Sequence, residues 1–195
     1  MTEARTLTQK TFQRRASTRA LAACLFAALL VAAAATRAQT NNSSEDVMDA
    51  ARTPAGELSL VRRRGADETV TIVIKLGDRV VAEKEASERG DAYRHASLLG
   101  LYPQDAPRYA LVRLSTDSLV CASMFTVVDL SAEGAAKATR DFGNCGDAPR
   151  VAYRGGSLTV TFPAGPRKRD PGTHYVGPGQ VWSYTGGRLR RISGR

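Results

Sequence analysis

The residues able to do chemistry in this chain are few. They are three cysteines (Cys24, Cys121, Cys145), two histidines (His95, His174) and scattered aspartates. Cys24 lies in an apolar leader, which leaves Cys121 and Cys145 as the thiols of a processed chain. Two thiols in an exported chain most simply form one disulfide. Closing a loop of about 25 residues contributes about 3 kcal/mol by limiting the unfolded chain. The alternative is a catalytic thiol paired with His95 or His174, which would have to stay reduced in an oxidising compartment. Two Cys and two His at scattered spacings match no zinc ligand pattern, and no metal or other cofactor is expected.

Asp129, Asp141 and Asp147 could pair as acid and base, but no spacing selects them. Asp147, following Gly146, reads more simply as a turn cap. Trp182 and Tyr184 alternate to one side of their stretch, as an exposed aromatic platform would, although a core role is the commoner one. Arg167, Lys168 and Arg169 share a proline- and glycine-rich loop with His174 and are candidate binding contacts. Two further basic stretches, Arg62-Arg63-Arg64 and 188–191, are candidates of the same kind. Nucleophile elbows, Ser-X-X-Lys, His-Glu-X-X-His, phosphate loops and dinucleotide fingerprints are all absent from the sequence.

Residues 1–38 read as a signal peptide: a long basic region, then an unbroken apolar run from Leu21 to Ala35 and small residues after it. A run of about 15 residues rises only about 22 Å as a helix, short of the roughly 30 Å hydrocarbon core. No stable membrane span is therefore expected after cleavage. Periplasmic or secreted localisation follows. The leader holds six of the 28 Lys/Arg and one of the 19 acids, leaving 22 against 18, a net +4. That is a weak long-range field, suited to a mild preference for anionic surfaces and too weak for a nucleic-acid binder.

Residues 39–56 are polar and read as a flexible linker, with a short frayed helix over 45–52 as the local option. Residues 57–195 then form a single β-rich domain. Val70, Ile72, Ile74 and Leu76 alternate against Thr69, Thr71 and Lys75, and the β-branched run Ile72-Val73-Ile74 disfavours a helix. Gly77-Asp78 supplies a turn to a partner strand, 79–85, whose Glu83, Lys84 and Glu85 suit an edge. Over 92–99, ending at Gly100, one or two helical turns are expected. Residues 109–115 alternate, and 119–130 are apolar on both faces, which predicts a central strand. Two diglycine turns, Gly155-Gly156 and Gly186-Gly187, mark hairpins over 150–162 and 180–192. Hairpins with so little helix predict an antiparallel all-β fold, a β-sandwich or partly open barrel with one disulfide.

One order of features stands out: Cys121 opening an apolar strand with Phe125, then Phe142-Gly143-Asn144-Cys145-Gly146-Asp147, then the Leu158–Phe162 strand and the Tyr184/Gly186-Gly187 hairpin. It resembles a group of small exported bacterial proteins of uncharacterised function. The resemblance covers residues 109–192. It implies export and a disulfide and supplies no activity. The expected function is that of a non-enzymatic exported domain binding another protein or an anionic envelope polymer, an inhibitor being one form of it. The rivals are a small envelope hydrolase with His95 as base and a purely structural envelope protein.

Overall fold

The computed structural model describes residues 44–86, 92–131, 136–166 and 172–194. The signal peptide expected over 1–38 and the Arg167-Lys168-Arg169 cluster lie outside them. Thirteen strands and no helix fill the described residues: β1 (Ser44–Thr53), β2 (Gly56–Arg64), β3 (Val70–Leu76), β4 (Arg79–Ala86), β5 (His95–Tyr102), β6 (Tyr109–Ser115), β7 (Ser123–Asp129), β8 (Lys137–Ala138), β9 (Phe142–Cys145), β10 (Arg150–Arg154), β11 (Ser157–Phe162), β12 (Gln180–Thr185) and β13 (Arg188–Gly194). They make three antiparallel sheets, in the orders β1-β2-β3-β4, β5-β6-β7-β8 and β10-β11-β12-β13, with β9 pairing β7 beside β8.

The middle sheet is buried on both faces, and the period-2 alternation of its strands sorts the side chains. Ala110, Val112 and Leu114 of β6 and Val128 of β7 pack with Leu58, Leu60, Ile72 and Ile74 of the first sheet. Tyr109 and Leu111 of β6 and Phe125 and Val127 of β7 turn the other way, onto Leu158, Val160, Phe162, Trp182 and Tyr184 of the third sheet. The fold is thus three layers with two cores. The aromatic core is held by Phe125, Phe142 and Phe162, whose ring centroids lie 5.0–6.5 Å apart.

Three expectations change. From Ser44 the stretch read as a linker is strand β1, which runs antiparallel along β2, so neither the tether nor the 45–52 helix describes it. β1 is held by its backbone pairing with β2 and forms the outer strand of the sheet; its own side chains are mostly exposed. The helical turns expected over 92–99 are instead strand β5, paired through His95–Tyr102 with β6, where tertiary pairing overrides local preference. The central strand begins only at Ser123, and Leu119 and Val120 stand exposed before it. β4 lies at the end of its sheet, as its charges predict. Both diglycine turns carry two left-handed residues, Gly155 (φ 53) and Gly156 (φ 78), Gly186 (φ 56) and Gly187 (φ 78), the conformation a two-residue hairpin loop needs.

Cys121 and Cys145 are bonded, as expected. Each residue of the Phe-Gly-Asn-Cys strand has its own reason to be there. Phe142 enters the aromatic core. Gly143 is left-handed (φ 133), and a Cβ on it would come within 3.2 Å of the Phe125 ring. Asn144 is buried and satisfied. Its amide donates to the carbonyls of Pro163 (2.7 Å), Pro178 (3.2 Å) and Gly177 (3.3 Å), and its side-chain oxygen accepts from Gly146 N at 3.1 Å. Cys145 takes φ 71, rare for a residue with a side chain.

Two stability changes follow. Replacing both Cys121 and Cys145 by Ser lowers unfolding free energy by about 3 kcal/mol in urea titration, the amount expected for a loop of this length. Phe125→Ala, at a fully buried position between two rings, lowers it by about 3–5 kcal/mol by the same measurement.

Candidate functional site

Three places on the domain could carry function, and each is built by a different part of the chain. The first is the end of the molecule at the disulfide. The loop before β7 is folded on itself: Thr116 N donates to Ala122 O (2.9 Å), Ser118 N to Thr116 Oγ1 (3.1 Å), Val120 N to Ser118 Oγ (3.0 Å), and Thr116 Oγ1 to Cys121 O. The loop before β12 is tied to it. Tyr175 N donates to Leu119 O (2.9 Å), and His174 Nδ1 donates to Ser118 O (2.8 Å); the acceptor is a carbonyl, so Nδ1 carries the hydrogen. Asn144 and the disulfide clamp both loops to β9. On these tied loops Leu119 (47% exposed), Val120 (66%) and Tyr175 (49%) are each open to solvent.

The second is a cleft of about 480 Å³ where β8 meets the Gly186-Gly187 turn, lined by Asp129, Lys137, Thr139, Tyr184 and Arg188 among others. Asp129 Oδ2 accepts from Tyr184 Oη at 2.8 Å, and Oδ1 accepts from Ser131 N at 2.9 Å and from Ser131 Oγ. Burial, and then the hydrogen bond to Asp129, push the Tyr184 hydroxyl well above the ordinary tyrosine range. A tyrosine held protonated in this way is a donor, and among the described residues the lining sets it beside Asp129, Lys137 and Arg188. That set can hold a polar or anionic group.

Asp141 has a parallel arrangement elsewhere. Lys84 Nζ lies 2.5 Å from Oδ1, and Tyr93 Oη donates to Oδ2 at 2.7 Å. Burial first, then the hydrogen bond to Asp141, raise the Tyr93 hydroxyl, as burial and Asp129 raise that of Tyr184. This trio joins the edge of the first sheet to the segment before β9. Asp129 and Asp141 therefore serve separate tyrosines rather than each other, and Asp147 is exposed.

The third place is the outward face of the third sheet. Register puts Arg154, Ser157, Thr185 and Arg188 in one row across it and Ala152, Thr159, Ser183 and Arg190 in the next. Thr185 Oγ1 donates to Ser157 Oγ at 2.6 Å, and Ser157 and Ser183 hydroxyls are 2.9 Å apart. Residues 150–195 carry nine Lys/Arg and one acid, Asp170, whereas 39–149 carry 13 against 17. Arg150, Arg154, Arg188, Arg190 and Arg191 are all exposed, and among the described residues none has a carboxylate at ion-pair distance.

Of the residues singled out from sequence, His174 sits at the disulfide end. Trp182 and Tyr184 are core residues, 9% and 3% exposed, and form no platform. Trp182 Nε1 donates to Gln180 Oε1 (2.8 Å), its ring lies tilted at 51° against Phe142, and the Arg140 guanidinium lies 5.8 Å from its centre. His95 is exposed at the start of β5. The basic triplet is no open patch: Arg62 donates to the Arg94 carbonyl, and Arg63 bonds Glu45 and Glu83. Sequence reasoning missed the Leu119/Val120/Tyr175 tip, although apolar residues directly after Thr116-Asp117-Ser118 were its signal. Among the described residues no three His, Cys, Asp or Glu are grouped to hold a metal, and no helix is long and apolar enough to cross a membrane.

The buried tyrosines set an alkaline limit. Unfolded tyrosine ionises near pH 10. Tyr93 and Tyr184 ionise later in the folded protein, so above about pH 10 the folded state holds more protons and stability falls as pH rises. Phenolate absorbance of the native protein shows a late-titrating fraction that shrinks in Tyr184→Phe. That variant also loses about 1.5–3 kcal/mol at neutral pH, the scale of a hydrogen bond to a charged acceptor.

No family model, no curated protein and no solved structure matches this chain.

Proposed function

We propose that this chain is an exported, non-enzymatic binding domain, periplasmic or secreted, whose disulfide end contacts a protein partner. The observation that carries this reading is the Leu119/Val120/Tyr175 tip. Soluble domains expose single apolar side chains freely, but three on adjoining loops, held by backbone hydrogen bonds and a disulfide, form a pre-organised contact. The entropy of ordering such loops is already met in the free protein, which favours tight association. The disulfide supports an oxidising compartment. Where the partner is an exported enzyme, a rigid tip of this kind acts as an inhibitor by occluding the enzyme's site.

Affinity capture from the exported fraction tests the reading, with the bound protein identified and its Kd measured. Tyr175→Ala weakens binding by about 30-fold, the scale of a central aromatic contact. Val120→Asp abolishes it without changing the thermal unfolding curve. Unchanged affinity in both variants would overturn the assignment.

A further inference from the structure

The outward face of the third sheet is a second surface of different chemistry, and it stands independently of the loop tip. Four strands at 4.7–4.9 Å spacing place Arg154 and Arg188 about 14 Å apart across the row, with the Ser157 and Thr185 hydroxyls between them. Arg190 extends the next row beside Ser183, and a depression of about 330 Å³ runs along Ser183, Thr185, Arg188 and Arg190 to Ile192. We infer that this face docks a linear acidic polysaccharide. The guanidinium groups would pair with its anionic substituents, and the hydroxyl rows would exchange hydrogen bonds with its sugar hydroxyls.

Charge complementarity and composition choose this occupant. The arginine fork matches an oxyanion, and the segment's one acid leaves the arginines uncompensated. Single-stranded nucleic acid needs aromatic side chains on which bases stack, yet Tyr153, Trp182 and Tyr184 of this sheet pack inward. An anionic bilayer calls for apolar anchors beside the basic residues, and Ile192 is the one large hydrophobic side chain exposed here among the described residues. Rows of serine and threonine suit a hydroxyl-rich chain better than either.

Polygalacturonate is the probe, with oligo(dT) and phosphatidylglycerol vesicles as the competing classes, each titrated from low to physiological salt. Polygalacturonate binds tightest, weakens as salt rises, and loses at least tenfold affinity in Arg154→Gln/Arg188→Gln. Tyr175→Ala leaves this binding unchanged, which separates it from the protein contact. Thermal unfolding of the double variant matches the parent, and Ser157→Ala/Thr185→Ala, with the arginines intact, also weakens polygalacturonate. No binding at low salt, equal binding by the arginine variant, or tighter binding of oligo(dT) or vesicles would overturn the inference.

Discussion

Burial of the middle sheet on both faces is the constraint that organises the rest. β6 and β7 alternate apolar side chains outward in two directions, so neither face can meet water and each needs a covering sheet. The covering sheets need only one apolar face each, which leaves two outer faces to differ. On the first sheet Glu45, Arg63, Glu83 and Lys75 form mutual ion pairs across the outer face, and Val61 and Val73 on that same face are buried. Those charges are satisfied among themselves. On the third sheet, among the described residues, the exposed arginines have no carboxylate at ion-pair distance, so one outer face of the stack is charge-paired and the other is basic.

The seam between the middle and third sheets is pinned by polar groups as well as by packing. Asn144 gathers three carbonyls from two separate passages of the 163–179 loop, and the cysteine next to it bonds to the loop entering β7. A buried amide left with unmet donors would cost a few kcal/mol, so the loops are held by that penalty as much as by the bonds themselves. The consequence is functional. The irregular backbone at Pro163, Gly177 and Pro178 is tied down by these bonds, and irregular backbone held in place is what recognition requires.

Much of this was legible from residue order, where one physical signal dominated. Strict alternation over 70–76 and 157–162 and the diglycine turns read correctly, because half-buried strands and two-residue loops impose those patterns directly. The two-sided apolar run at 119–130 revealed the central strand, but its first residues are exposed loop, since periodicity cannot tell a strand from an apolar tip beside it. β1 was unreadable because an edge strand with mostly exposed side chains has no apolar alternation to see. β5 was misread because Ala92 to Leu99 is locally helix-compatible and its pairing partner lies outside any short window. Trp182 and Tyr184 alternate alike whether they face a core or a ligand; only the opposing sheet decides.

Averaged charge hid the most informative asymmetry. A net +4 over residues 39–195 describes a mild, diffuse preference, yet it is the sum of an acidic stretch, 39–149, and a strongly basic one, 150–195. At physiological ionic strength a charge is felt over about 8 Å. A ligand approaching the outward face of the third sheet is therefore governed by that face's own arginines more than by the summed charge of 39–149. Net charge governs solubility and long-range steering, whereas docking depends on which side chains share a face. Here the sheet register, and not composition, assembles the arginines and hydroxyls into rows, so binding at that face follows from the order in which β10 to β13 pair.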